Sequence, residues 1–220
     1  MSGDGTTPSV SLVLGSGGAR GYAHIGVIEE LEASGYSIRS IAGSSMGALI
    51  GGIYAAGKLQ VFTDWVRPLQ RLDVLRLLDW TISGGGFIKG DRIIGVLKDL
   101  IGPVNIEDLP IPYTAVAVDL DVQREVWFSR GPLFDAIRAS IAIPTIFRPY
   151  NHEGRLLVDG GLLNPLPVSP TLRDLTDATI ASAFVARWCI GYRPETADGL
   201  YRIREDEPKR RVRAPDHKTP

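Results

Sequence analysis

Residues 41–47 read IAGSSMG, and within them Gly43, Ser45 and Gly47 have the spacing GxSxG. A serine at the centre of that pattern, between an apolar run and a helical one, has the setting of an acyl-transfer nucleophile. The sharp turn exposes the hydroxyl and leaves no room for side chains two residues to either side. The same pentapeptide also recurs as an ordinary small-residue turn, so the spacing alone leaves both readings open. Ser44 reads as a neighbouring structural hydroxyl. A serine nucleophile needs a base within hydrogen-bond reach. The chain has three histidines: His24 early in the first helical pattern, His152 in a polar hairpin turn, and His217 near the C-terminus. None has the setting of a triad base. Asp159 is the better candidate, because it follows the apolar run RLLV and precedes Gly160 and Gly161, which presents its carboxylate at a strand end. Partial desolvation would have to raise its pKa from the usual ~3.9 for it to work as a base. The alternative is an aspartate that only caps a turn.

A second feature is the glycine-rich stretch GSGGARG at 15–21. It is not a phosphate-binding P-loop, which requires GK[ST] at its end. It is not a dinucleotide fingerprint either, because Gly15 and Gly17 require a third glycine where Arg20 stands and the next strand ends without an acid for a ribose. Backbone N–H groups of such a loop at the start of a helix can converge on developing negative charge, which in acyl transfer is the tetrahedral oxyanion. A flexible strand-to-helix connection is the competing reading. Arg20 is a structural cation or a phosphate contact. No HExxH, paired CxxC or EF-hand loop occurs, so the sequence supports no metal site.

The elements that must position these residues follow from periodicity. SVSLVL at 9–14 is β-prone, and the helical run after the glycine loop places Tyr22, Ile25, Ile28 and Leu31 three apart and stops at Gly35. YSIRSIAG supplies a second strand, and MGALIGGIYAAG is apolar nearly all round, as in a helix buried against a sheet. Strand, helix, strand, helix predicts a parallel sheet with helices packed on it. Residues 59–80 read as amphipathic helix with a break at Pro68, 83–90 as a loop, and the run from Asp91 as a helix with Asp91 as its cap. This middle region is expected to form a cap or lid. YTAVAVDL and REVWFS predict a hairpin, PLFDAIRASIAI a helix closed by Pro144, and IFRPY with RLLV a second strand pair around NHEG. DGGLLNPLPV reads as loop and DATIASAFVA as the last strand.

Bulk properties narrow the class. A chain of 220 residues suits one domain, and 44% apolar with 22% charged residues is ordinary globular usage. The net charge of −1, with the only basic cluster (PKRRVR, 208–213) mixed among acids, excludes an electrostatic footprint for nucleic acid. A single cysteine, Cys189, cannot form an internal disulfide, which fits a reducing compartment. No apolar run reaches about 18 residues, so a membrane span is not expected, while contact with a membrane surface is left open. The N-terminus reads poorly as a signal peptide. Past Arg187 the sequence loses sustained periodicity and reads as a poorly packed tail.

Taken together, LVLGSGGARGYAHIGVIEEL, IAGSSMGALIGGIYAAG and LLVDGGLLNPLPV resemble the patatin-like phospholipases, particularly small bacterial members. GGFIKGDRI and ASIAIPTIFRPY extend the resemblance over about residues 9–183. It implies an α/β fold: a three-layer α/β/α sandwich with a mainly parallel central sheet, related to the α/β-hydrolases. A catalytic domain is expected at 9–185, followed by an atypical tail at 186–220. The resemblance implies a catalytic dyad of Ser45 and Asp159, with an oxyanion hole from Gly17, Gly18 and Ala19 with Arg20 beside them. Gly43 and Gly47 frame the elbow, and Gly160 and Gly161 complete the DGG motif. The implied activity is hydrolysis of lipid acyl esters through an acyl-enzyme, without metal or organic cofactor, on a lipid or other acyl ester, with no nucleic acid partner. A cytoplasmic location follows, with membrane-surface contact open. The alternatives are a catalytically impaired lipid-binding or regulatory member, motivated by the ending, and an acyltransferase using the same dyad. Two departures stand out: Ser16 occupies the first glycine of GGGxRG, and residues 187–220 lack the further helices that members carry there.

Overall fold

A computed structural model of the chain describes residues 7–70, 86–184 and 200–203. It begins with β1 (Ser9–Leu14), α1 (Ala23–Ala33), β2 (Ser37–Ser44) and α2 (Met46–Ala55), the strand-helix-strand-helix unit expected from periodicity. β1 pairs in parallel with β2 on one side and with β9 (Ala178–Ser182) on the other. Both faces of this central parallel strand are buried, from Val10 to Leu14, which is why SVSLVL is a nearly continuous apolar run rather than an alternating one. Both helices end in the same way. Gly35 (φ +79°) and Gly57 (φ +68°) sit one residue past the cap, and Tyr36 and Lys58 donate back to the carbonyls of Leu31 and Ile53 at 3.0 Å each. These are Schellman closures, which require a left-handed residue that glycine adopts freely.

The chain continues through α3 (Leu59–Val66), β3 (Gly86–Ile88), α4 (Asp91–Ile101), β4 (Tyr113–Asp119), β5 (Arg124–Phe128) and α5 (Leu133–Ser140). β6 (Thr145–Phe147), β7 (Tyr150–His152), β8 (Arg155–Asp159), β9 and β10 (Leu200–Ile203) complete it. One eight-stranded mixed sheet runs β10-β9-β1-β2-β4-β8-β7, with β5 also on β4. The expected parallel run forms its centre, β9-β1-β2-β4, and the outer pairings are antiparallel. Helices flank the sheet in the three-layer α/β/α arrangement, with α2 on β2 and β4 and α5 on β4 and β8. Ile50 and Ile53 of α2 are fully buried, and each contributes roughly 1.5–3 kcal/mol of transfer free energy.

Four local expectations change, the first being that the strand paired with RLLV is Tyr150–His152 rather than IFRPY as a whole. Residues 86–88, read as loop, form β3, which pairs in parallel with β6; its partner is distant in sequence, so local composition could not show it. The cap of α4 is Gly90, in the left-handed region at φ +82°, and Asp91 is its first helical residue. Leu200–Ile203, inside the stretch read as a tail, pairs antiparallel with β9. The rest of that stretch, and residues 71–85 of the middle region expected to form a cap or lid, including the second part of the helix expected over 59–80, lie outside the described residues.

Candidate active site

The register of β4 explains how residues far apart in sequence meet. β2 pairs with Tyr113–Val116 of β4, β5 with Ala115–Asp119 and β8 with Ala117–Asp119. β5 overlaps both of the others, so it must own one edge of β4, and β2 and β8 must share the opposite one. β2 runs parallel to β4 and β8 antiparallel, so their C-terminal ends converge. β2 stops where Ser44 faces Val116, and β8 stops where Asp159 faces Ala117, the very next position. Ser45 and Asp159 are the residues at this junction.

Ser45 adopts φ 58°, ψ −125° between β2 and α2. A side-chain-bearing residue with positive φ is strained, and a strained serine between strand and helix is the signature of a nucleophile elbow. Its neighbours must come very close. A Cβ on Gly47 would overlap the Leu14 carbonyl of β1, and one on Gly43 would lie 2.6 Å from the Ala48 backbone. On the other side of the junction, a Cβ on Gly160 would overlap the Val116 carbonyl and stand 2.6 Å from Ser44 Oγ. Gly161 packs against Ser16 Oγ and Asp159 Oδ1.

Ser45 Oγ donates to Asp159 Oδ2 at 2.5 Å, and the Gly161 N–H donates to Asp159 Oδ1 at 2.6 Å. Both side chains are buried, each residue being 4% exposed. Burial pushes the Asp159 carboxyl up to about 6, against the opposing pull of the hydrogen bonds from Ser45 and Gly161. At neutral pH the carboxylate is ionised but more basic than a solvated one, which suits it to accept a hydroxyl proton.

The glycine loop lies against the same junction. Ser16 Oγ meets Gly161 and donates to Ser44 Oγ at 3.4 Å, and Gly21 is seated on the Met46 side chain. Gly17 precedes a 3-10 turn over Gly18–Tyr22, with Gly18 at φ +52°. The Arg20 N–H is committed to the Gly17 carbonyl at 3.1 Å, and the Arg20 side chain is exposed. Gly18 and Ala19 open the turn, at positions whose N–H groups have no partner within it.

The histidines fall elsewhere. His24 is fully buried with Nε2 2.8 Å from the Gly15 carbonyl, and burial lowers its pKa to about 4. It is a neutral support under the glycine loop, and its ring meets Phe184 edge-on. His152 packs on Phe128 and Tyr150, and His217 lies outside the described residues, as does Cys189. Among the described residues no group of three or more His, Cys, Asp or Glu side chains could hold a metal ion, and no helix is long and apolar enough to cross a membrane. Sequence reasoning missed Ser140, whose Oγ accepts the Ser45 N–H at 2.9 Å. Its one signal is its place in ASIAIP, where a serine ending an apolar helix does not stand out.

The patatin-like phospholipase family model matches residues 12–172. An uncharacterized NTE family protein of Mycobacterium tuberculosis (strain H37Rv) is 56% identical over 176 residues, covering 80% of this chain and 49% of that protein. The chain thus spans about half the length of such relatives. The neuropathy target esterase sws of Drosophila persimilis is 33% identical over 169 residues, covering 74% of this chain and 12% of the esterase. Among solved structures, VipD from Legionella pneumophila matches with a TM-score of 0.58 at 16% identity, over 71% of this chain and 46% of that one. That likeness is one of fold.

Proposed function

Because the chain belongs to the patatin-like phospholipase family, we propose that it is a serine acyl hydrolase that cleaves lipid acyl esters through Ser45 and Asp159. The observation that carries this reading is the contact itself: a strained elbow serine donating at 2.5 Å to a buried aspartate whose pKa is pushed up to about 6. Asp159 accepts the Ser45 hydroxyl proton as Oγ bonds to the ester carbonyl carbon, and the carbonyl electron pair moves onto oxygen. The Gly18 and Ala19 amides are the assigned oxyanion donors, beside Gly17 and Arg20, because the Arg20 amide is already engaged. Collapse of the tetrahedral species expels the alcohol, which takes the proton from Asp159. Water, deprotonated by Asp159, then attacks the acyl-enzyme and releases the acid, and Ser45 regains its proton.

A lipid substrate also suits Leu162 and Leu163, three and four residues past Asp159, which are 53% and 51% exposed and offer apolar surface that a lipid aggregate would cover. The test is labelling with a fluorophosphonate probe together with hydrolysis of a panel of phospholipids, lysophospholipids and neutral glycerides. Labelling at Ser45 and turnover that is lost in Ser45→Ala are expected. A folded wild-type protein that neither labels nor turns over would refute the proposal, and acyl transfer to an added alcohol with no free acid formed would replace hydrolase with transferase.

A further inference from the structure

Ser140 interrupts the β-ladder at the nucleophile. In the β2–β4 pairing the Ile41 N–H donates to the Pro112 carbonyl at 2.9 Å, with Ile41 opposite Tyr113 and Gly43 opposite Ala115. A parallel ladder repeats every second residue. The same pattern would set the Gly43 N–H on the Thr114 carbonyl and the Ser45 N–H on the Val116 carbonyl. That last rung is not made directly. The Ser45 N–H donates to Ser140 Oγ at 2.9 Å, and Ser140 Oγ donates to the Val116 carbonyl at 2.6 Å. One hydroxyl, acting as acceptor and donor, fills the rung and satisfies both backbone groups.

The insertion changes the geometry where the chemistry is proposed. Two hydrogen bonds in series hold Ser45 farther from β4 than a direct rung of about 2.9 Å would. The space this opens lies where β8 takes over the edge, and Gly160 fits into it against the Val116 carbonyl and Ser44 Oγ. If the rung closed, Ser45 would be drawn toward β4 in extended conformation, away from φ 58° and from Asp159.

The hydroxyl also has a rigid mount. Ser140 is fully buried at the end of α5, a helix that packs on β4 and β8. Two residues earlier Arg138, 4% exposed, bonds the Lys89 and Arg148 carbonyls and lies over the rings of Tyr150 and Phe147, 5.6 and 6.0 Å from their centroids. The last turn of α5 is therefore fixed from both sides.

We propose that Ser140 is a positioning residue, whose hydroxyl spliced into the β2–β4 ladder holds Ser45 in the elbow conformation within reach of Asp159. This inference rests on Ser45 being the nucleophile. The test compares fluorophosphonate labelling rates at Ser45 in wild type, Ser140→Ala, Ser140→Thr and Ile137→Val, the last a fully buried α5 residue facing Gly52 of α2 that controls for lost packing. Ser140→Ala should label about 100-fold more slowly, the scale expected for a displaced reacting group. Its substrate KM should change little while kcat falls, and the acid limb of its rate profile should stay where wild type has it. Ser140→Thr, which keeps the hydroxyl, should recover most of the rate, and Ile137→Val should label like wild type at comparable loss of stability. A folded Ser140→Ala protein labelled within threefold of wild type would overturn the proposal. If Ser140→Ala does not fold, Ser140→Cys, which weakens both hydrogen bonds at similar volume, carries the same criterion. Absence of labelling in the wild type would overturn the nucleophile assignment instead.

Discussion

Replacing Asp159 by asparagine should make the protein more stable as it destroys activity, and the amount can be worked from the site. The carboxyl has an ordinary pKa of 3.8 and is raised to about 6 in the fold by burial. Between these values the folded state binds more protons than the unfolded one, so the contribution of Asp159 is fully favourable below about pH 4 and is lost as pH rises through about 6. A shift of roughly 2 units at 1.36 kcal/mol each costs about 3 kcal/mol at pH 8. The asparagine side chain has no charge to desolvate, and its Oδ1 can still accept from the Gly161 N–H. The Asp159→Asn variant should match wild type near pH 4 and exceed it by up to about 3 kcal/mol at pH 8, a Tm gain of roughly 6–12 °C for a protein of this size. Urea unfolding from pH 4 to 8 on both proteins gives the answer, since taking the difference at each pH removes every other titrating group. Activity should fall by about 10²–10⁴-fold, the usual worth of a general base. An Asp159→Asn protein no more stable than wild type at pH 8 would refute the claim that the fold strains this carboxylate toward basicity.

Other consequences can be checked alongside. The log of kcat/KM should rise with pH to a limb near 6, set by Asp159, and His24→Gln should leave that limb in place; a limb that moves with His24 would contradict the dyad. His24, buried neutral with its pKa lowered from 6.5 to about 4, should contribute stability that is present above about pH 6.5 and lost toward pH 4. By the same arithmetic this loss is about 3 kcal/mol, and it should be absent in His24→Phe unfolding curves. Gly47→Ala should cost about 1–3 kcal/mol and slow turnover, because its methyl overlaps the Leu14 carbonyl, whereas Gly26→Ala in α1, with nothing within 4 Å, should gain roughly 0.5–1 kcal/mol in a thermal melt. Leu162→Ser with Leu163→Ser should weaken vesicle sedimentation while sparing hydrolysis of a short-chain soluble ester; unchanged sedimentation would discard this apolar contact.

Much of the fold is legible in sequence because it is written locally. The all-apolar β1, the three-residue spacing in α1 and the greasy faces of α2 each report burial within one element, and Gly35 and Gly57 report the helix ends. The glycines around Ser45 and beside Asp159 are legible as close backbone approaches. What local patterns do not carry is pairing. Nothing in RLLVD says that β8 takes the edge β2 has left, and nothing in GFI says that β6 is its partner. Ser140 is hidden for a different reason. A serine ending a helix is common, and its role depends on a carbonyl and an amide contributed by two other elements.

The edge of β4 that β2 and β8 share also sets a schedule. Residues 9–55 carry the serine and the glycine loop, and synthesis reaches them before either hydrogen-bond partner of the Ser45 side chain and amide. The partners of Ser45 arrive much later: Ser140 is 95 residues further along and Asp159 is 114. At about 5–20 residues per second, synthesis alone separates Ser45 from Asp159 by roughly 6–23 s. During that interval the nascent chain holds a hydroxyl with neither anchor nor base. Under the proposed chemistry, lipolytic power emerges only when the later strands dock, and an unfinished chain spares the lipids around it.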